Sequence, residues 1–174
     1  MGWLTKLKRK IKDIIKQIKL VATDCDGVLT DGSLYYMENG EEIKRFQVLD
    51  GVGFIRLGQN GIKTAIITGE KTSIVDNRAK RLKTDYLYKG TLDKLTAIKE
   101  ICEKENISLQ EVAYIGDDWF DVEAINAVGF GCVPRTARKQ IRSHGDYVTK
   151  HGGGNGCFRE IAELILKIKG MDKK

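Results

Sequence analysis

The chain has 174 residues, 41% of them apolar and one a proline, which is enough to bury the core of one soluble globular domain. Its net charge of +6 lies in residues 1–19, where seven Lys or Arg face Asp13 alone; the other 155 residues carry 23 charges of each sign. That distribution removes support for nucleic-acid binding by the domain, and no apolar run reaches the roughly 18 residues of a membrane span.

Cysteine usage narrows the compartment. Cys25, Cys102, Cys132 and Cys157 form no CxxC, and two histidines are too few to complete a zinc site. Buried thiols in a reducing, cytoplasmic setting fit best. Lysines interrupt residues 1–19 every two or three positions, unlike a secretory signal, and Lys6 stands where a myristoylation signal wants Ser or Thr.

Leu4, Leu7, Ile11, Ile14, Ile15 and Ile18 recur at helical steps among those lysines, predicting a basic amphipathic helix over residues 1–18. Packing on its own domain or on a neighbouring subunit is the preferred reading; contact with an anionic membrane surface is the second. A single domain is expected over 19–170, with 171–174 as a tail.

Leu20, Val21 and Ala22 then suit a buried strand that breaks off into DCDGVLTDG. Side chains two apart on a strand share a face, so Asp24 and Asp26 meet as a carboxylate pair that needs a cation or a shared proton. SLYYMENGEEIKRF reads as a β-hairpin turning at Glu38-Asn39-Gly40. A turn is expected at Asp50-Gly51, then a helix ending near Asn60-Gly61. KTAIITGE is a second buried strand stopping at Thr68-Gly69, followed by a helix, the strand YLYKG and a helix with Lys94 in its first turn. EVAYIGDDWFD is a third apolar strand ending in Gly116-Asp117-Asp118. A helix, the strands GFGCVP and YVT, a glycine-rich run at 152–156 expected to be flexible, and a closing helix complete the chain.

Strands alternating with helices predict an α/β fold: a Rossmann-like parallel sheet with helices on both faces. Asp24/Asp26, Thr68/Gly69 and Asp117/Asp118 each follow the C-terminal end of a strand, where ligands bind in such sheets. Carboxylates, a hydroxyl, backbone N–H groups and a lysine converging there suit Mg²⁺ and a phosphoryl group. Phosphoryl transfer follows. Trp119, beside Asp118, is expected to pack, and Cys25, alternating with the aspartates, to point into the core.

DCDGVLTDG, IITG, a lone DK lysine and GDDWFD, in that order over residues 19–166, resemble the four motifs of the haloacid dehalogenase superfamily of phosphatases. The resemblance implies a HAD-like fold in which Asp24 is the nucleophile forming an aspartyl-phosphate and Asp26 the acid and base. It implies Mg²⁺ on Asp24, the backbone carbonyl of Asp26 and Asp117, with Asp118 and Asp121 as closer or outer support. Thr68, Gly69 and Lys94 would bind the phosphoryl oxygens.

Between Asp26 and Thr68, and between Gly69 and Lys94, the chain has no room for the cap domain that many superfamily members carry. The hairpin, LDGVG, RA after ITG, YVT and GGGNGCFRE resemble the capless phosphatases of 3-deoxy-2-ulosonic acid phosphates, homotetramers with shared active sites. That resemblance assigns substrate contacts to Gln47, Asp50, Gly51 and Arg78, with Ile55 or Arg56 near the sugar. Glu70, Arg78 and Arg81 match the pattern for 2-keto-3-deoxy-nononic acid 9-phosphate, which is preferred; 3-deoxy-manno-octulosonate 8-phosphate and acylneuraminate 9-phosphate are the alternatives. A non-catalytic interaction module on this fold is the alternative from another class.

Overall fold

The structure, a computed structural model, describes residues 11–171. Residues 11–17 form helix α1, the described part of the predicted leader helix; Leu4 and Leu7 lie outside the described residues. Ile15 and Ile18 are buried in the domain core and Ile11 and Ile14 pack against it, so the described part of this stripe is spent on the chain's own domain. Lys169 closes the end of α1 by donating to the carbonyls of Lys16 (2.6 Å) and Ile18 (3.0 Å).

Strand β1 is Leu20–Thr23. The hairpin follows as β2 (Tyr35–Tyr36) and β3 (Glu42–Ile43), antiparallel and shorter than its β-prone runs. Helix α2 spans Val48–Gln59, so the expected turn at Asp50-Gly51 is instead helical. The Gln47 side chain accepts from the Val48 N–H and starts the helix early, while Asp50 caps a distant helix. Then come β4 (Lys63–Thr68), α3 (Ser73–Leu82, capped by Thr72), β5 (Tyr86–Lys89) and α4 (Lys94–Glu105, capped by Asp93). The chain continues through β6 (Val112–Ile115), α5 (Val122–Ala127), β7 (Phe130–Val133), the short α6 (Lys139–Arg142), β8 (Tyr147–Val148) and α7 (Cys157–Lys169).

Six strands form one parallel sheet in the order β5-β4-β1-β6-β7-β8, and the hairpin stands apart from it. Strand alternation divides the apolar residues between two layers. Val21, Ile66 and Ile115 face α1, α2, α3 and α7; Leu20, Ala22, Ile67 and Tyr114 face α4, α5 and α6. Phe54 of α2 stacks on Phe158 of α7 with ring centroids 4.0 Å apart, and α7 comes so close that a Cβ on Gly53 would meet Arg159 Cα at 3.1 Å. All four cysteines are free and buried, Cys25 in the core as alternation predicts.

The chain leaves β1 for β4 and β5 on one side, then returns to β6 and β7 on the other. Residues just beyond β1 therefore sit at the switch point of the sheet, where neighbouring connections diverge and leave a crevice. Among the described residues no cap covers it: the chain between β1 and β4 forms the hairpin and α2.

The glycine-rich run is not the flexible segment expected. The Gly154 N–H donates to the Val28 carbonyl at 2.9 Å, and the Cys157 thiol points to the same oxygen. A Cβ on Gly153 would lie 1.9 Å from the Gly27 carbonyl oxygen. Residues 153–154 are thus pressed backbone to backbone against the loop that follows β1.

Candidate active site

A cleft of about 360 Å³ opens at the C-terminal ends of β1, β4 and β6, lined by Asp24, Asp26, Thr68, Gly69, Glu70, Lys94, Asp117, Asp118 and Asp121 among others. The structure brings together Asp24 and Asp26 of the first sequence motif, Thr68 and Gly69 of the second, Lys94 of the third, and Asp117, Asp118 and Asp121 of the fourth.

Lys94 is the first residue of α4, where a cation opposes the helix dipole, and it is 4% exposed. Its ammonium lies 2.6 Å from Asp24 Oδ1 and 2.8 Å from the Ile67 carbonyl. A lysine kept in so unfavourable a position is held for its charge. Thr68 is buried at the end of β4; its hydroxyl oxygen accepts from the Glu70 N–H at 3.1 Å, leaving its proton to donate into the cleft.

Asp117 follows β6 and leans over Gly27, where a Cβ would fall 2.0 Å from Asp117 Oδ2. The glycine after the aspartate pair is required by this approach and by its φ of +86°. Asp121 stiffens the loop: its Oδ2 accepts from the N–H groups of Asp117 (2.9 Å) and Asp118 (3.0 Å), and its Oδ1 from the Tyr114 hydroxyl (2.5 Å). Asp118 accepts from the Trp119 N–H at 2.7 Å. Trp119 does not pack as expected; it is 59% exposed beside the equally exposed Phe120, because its short 3-10 turn faces out over the cleft mouth.

The acidic cluster fits a hard cation on two counts. Carboxylate oxygens of Asp24, Asp117 and Asp121 lie within 4.8 Å of one another, and Asp117 Oδ1 is buried with no hydrogen-bond donor. Burial, followed by the charge of Asp121, pushes Asp24 up to about 7 against the pull of Lys94. Burial and then Asp24, Asp121, Asp118 and Asp26 push Asp117 up to about 8. Carboxyl groups that resist ionising together are relieved by a divalent ion.

The Asp26 carboxylate is not in that cluster. Its Oδ1 accepts from the Thr30 hydroxyl (3.2 Å) and from the ammonium of Lys44 (2.7 Å), which also pairs with Glu42 (3.0 Å). Burial draws the Lys44 ammonium down, but the hydrogen bonds and charges of Asp26 and Glu42 outweigh it and hold it above its ordinary range. Nothing local in EEIKRF marks this lysine as reaching the cleft, since Asp26 lies 18 residues earlier.

The sugar-reading residues inferred from resemblance divide. Glu70 lines the cleft; Gln47, Asp50, Gly51, Arg78 and Arg81 do not. Asp50 is 1% exposed and both its oxygens are taken by the N–H groups of Gly156 (3.2 Å) and Arg159 (3.0 Å) at the start of α7. It caps a helix rather than facing a ligand. Arg78 donates to the Gln47 carbonyl at 2.8 Å and lies over the Phe46 ring. With Arg81, Gly51 and Ile55 it lines a separate groove of about 240 Å³ between α2 and α3. Ile55 faces that groove, and Arg56 instead reaches Glu163 of α7.

Comparison with known proteins gives the family. The family model for haloacid dehalogenase-like hydrolases matches residues 86–161. The 3-deoxy-D-manno-octulosonate 8-phosphate phosphatase of Escherichia coli K12 is 39% identical over 155 residues, covering 89% of this chain and 82% of that relative. The crystal structure of the Moraxella catarrhalis enzyme of that name, in complex with magnesium ion, phosphate ion and KDO, superposes with a TM-score of 0.91 at 44% identity, covering 94% of this chain and 95% of its own. The cobalt-bound Haemophilus influenzae phosphatase gives 0.86 at 37% identity, covering 90% and 92%. Mg²⁺ is the cofactor that the acidic cluster serves. With four motifs in one cleft, a capless sheet and relatives of this similarity, the chain belongs to the haloacid dehalogenase-like hydrolases and is a phosphoric monoester hydrolase.

Proposed function

We propose that this chain hydrolyses the terminal phosphate of a 3-deoxy-2-ulosonic acid phosphate through an aspartyl-phosphate on Asp24. The observation that carries the reading is the buried Asp24–Lys94 pair at the switch point, open to a cleft also lined by Thr68, Gly69 and Asp26. The substrate phosphoryl group takes hydrogen bonds from the Thr68 hydroxyl, the Gly69 N–H and the Lys94 ammonium, which steady the charge spreading over its oxygens. An Asp24 oxygen attacks phosphorus as the ester bond breaks, and Asp26 gives its proton to the leaving alkoxide. Asp26 then takes a proton from water as that water attacks phosphorus, releasing phosphate and restoring Asp24. Asp24, the Asp26 carbonyl and Asp117 would hold Mg²⁺, which would supply positive charge against the phosphoryl oxygens. Asp118 and Asp121 support the Asp117 loop.

The octulosonate phosphatases to which the chain is similar support the eight-carbon acid as substrate and lend nothing to the preference for the nine-carbon acid. One observation keeps the latter as a second reading: Glu70 lines the cleft, and an acidic side chain there accepts from sugar hydroxyls and repels an added carboxylate.

A homotetramer with shared sites is part of the proposal. Leu34, Tyr36, Met37 and Ile43 leave the hairpin with exposed apolar side chains, as a subunit contact requires. Arg78 and Arg81, in their separate groove, can meet a sugar acid bound to the neighbouring subunit and hold its carboxylate. Among the described residues no helix is long and apolar enough to cross a membrane, and the buried free thiols support a cytoplasmic setting.

The test is Mg²⁺-dependent phosphate release from 3-deoxy-D-manno-octulosonate 8-phosphate and 2-keto-3-deoxy-nononic acid 9-phosphate, with Asp24→Asn alongside. Expected is turnover of the eight-carbon ester by the wild type and loss in the variant. If wild type and variant are equally inert on both esters, the substrate class is wrong; light scattering that finds a monomer overturns the shared site.

A further inference from the structure

We propose that Lys44 is a positioning residue for the proton-transfer step: its ammonium, arriving from the hairpin, clamps Asp26 Oδ1 and leaves Oδ2 as the oxygen that serves the leaving group. The inference rests on the reading of Asp26 as acid and base.

Lys44 follows β3 directly, and its side chain is 2% exposed. An ammonium so withdrawn from water needs compensating charge, and it finds Asp26 at 2.7 Å and Glu42 at 3.0 Å. It is therefore not available to bind substrate, although it stands next to the cleft. Asp26 itself is a third exposed, so one of its edges faces solvent and any ligand. Oδ1 takes both the Lys44 ammonium and the Thr30 hydroxyl, whose own oxygen accepts from the N–H groups of Gly27 (3.3 Å) and Gly32 (3.2 Å). Two donors on one oxygen fix the plane of the carboxyl group. The other oxygen receives neither and is the one free to exchange a proton.

Thr30 comes from the same loop as Asp26 and moves with it. Lys44 comes from outside, so it ties the acid to the hairpin. Tyr35 (3.0 Å), at the start of the hairpin, and Arg45 (3.4 Å), just past its end, reinforce this junction by reaching Asp31 Oδ2. A proton donor displaced by about 1 Å costs on the order of 100-fold in rate, because transfer requires hydrogen-bond reach to the leaving oxygen.

The experiment compares two esters of similar size, benzyl phosphate, whose alkoxide must be protonated as it leaves, and p-nitrophenyl phosphate, whose leaving group departs unaided. Initial rates with Mg²⁺ give kcat/KM, which reports the first transfer to Asp24, for wild type, Lys44→Met, Lys44→Arg, Asp26→Asn and the Asp26→Asn/Lys44→Met double variant. For Lys44→Met, kcat/KM should fall about 100-fold on benzyl phosphate and at least tenfold less on p-nitrophenyl phosphate. Lys44→Arg should recover most of that loss, and the double variant should be no slower than Asp26→Asn alone, since Lys44 acts through Asp26.

Equal losses on the two esters, or no loss on either, overturn the role of Lys44. So does a double variant slower than Asp26→Asn by the full Lys44→Met factor. If Lys44→Met does not fold, a Glu42→Gln variant, which loosens the clamp from its other end, carries the same comparison. Should Asp26→Asn fall equally on both esters, it is the acid assignment that fails, and that failure is separate from one in which Asp26→Asn discriminates and Lys44→Met does not.

Discussion

Replacing Gly153 with alanine tests how the catalytic loop is held, because this residue lies 126 positions beyond Gly27 in sequence and touches it in space. The new Cβ would sit 1.9 Å from the Gly27 carbonyl oxygen, 2.5 Å from its carbon and 2.9 Å from the Thr30 carbonyl oxygen. A relaxed carbon–oxygen contact is about 3.3 Å, so the two backbones must separate by about 1.4 Å. No flexible side chain is present to give way. Overpacking of this kind costs about 1–3 kcal/mol, which for a chain of this size lowers Tm by roughly 2–12 °C. The larger effect falls on rate: Asp26 precedes Gly27, and about 1 Å of displacement removes roughly 100-fold from turnover. Asp24 and Asp117, anchored at strand ends, should still bind Mg²⁺ with little change. The assays are a thermal melt, Mg²⁺ titration by calorimetry, and phosphate release. Gly58→Ala is the control, since nothing lies within 4 Å of its Cβ in the last turn of α2; it should keep full activity and gain up to about 1 kcal/mol. Wild-type rate and Tm for Gly153→Ala would refute the packing argument.

Three further outcomes follow from the same geometry. Lys94→Met removes the ammonium 2.6 Å from Asp24 and should lower kcat by about 100-fold or more on every ester, with no dependence on leaving group, measured by phosphate release. Asp117→Asn removes a charge from the acidic cluster and should weaken Mg²⁺ by at least about tenfold in calorimetry while raising the Tm of the metal-free protein, because the cluster's mutual repulsion falls. Asp24 and Asp117 hold their protons to about pH 7 and 8 in the fold but to about 4 when unfolded, so metal-free stability declines as pH rises from about 4 to 8. Mg²⁺ displaces those protons, so its effect on Tm should be larger at pH 8 than at pH 6; an equal or smaller effect at pH 8 contradicts the assignment.

What the sequence made legible follows from how local each feature is. Asp24, Thr68 and Asp117 come directly after apolar runs of strand character, and a parallel sheet puts all such ends on one edge, so their convergence needed no tertiary knowledge. Lys94 was legible only as a member of that series, since an isolated lysine in a helix is ordinary surface. Asp50-Gly51 misled because a dipeptide rich in turn character is equally at home in the first turn of a helix, and a buried carboxylate can cap a neighbour as readily as bind a ligand. The direction in which Arg78 and Arg81 point depends on how α3 rotates against α2, which no local pattern encodes. Trp119 was misread for the same reason: an aromatic beside an active-site acid packs or projects according to the path of a three-residue turn.

The two carboxyl groups proposed to act on the ester are therefore held in different ways. Asp24 is fixed locally, by the ladder of β1 with β4 and β6 and by the Asp24 N–H bond to Ile115, and its partner Lys94 is set by a strand-to-helix junction. Asp26 stands three residues beyond the strand, in a loop that gains its shape from Thr30, from the hairpin through Lys44, and from Gly153 and Gly154 ahead of α7. Perturbations spread over the hairpin, the glycine-rich run or the α2–α7 contact all reach Asp26 before they reach Asp24. Substitutions far from the cleft should then damage proton transfer while phosphoryl binding and Mg²⁺ affinity survive, so that leaving-group dependence, rather than overall loss of rate, becomes the signature of remote change in this fold.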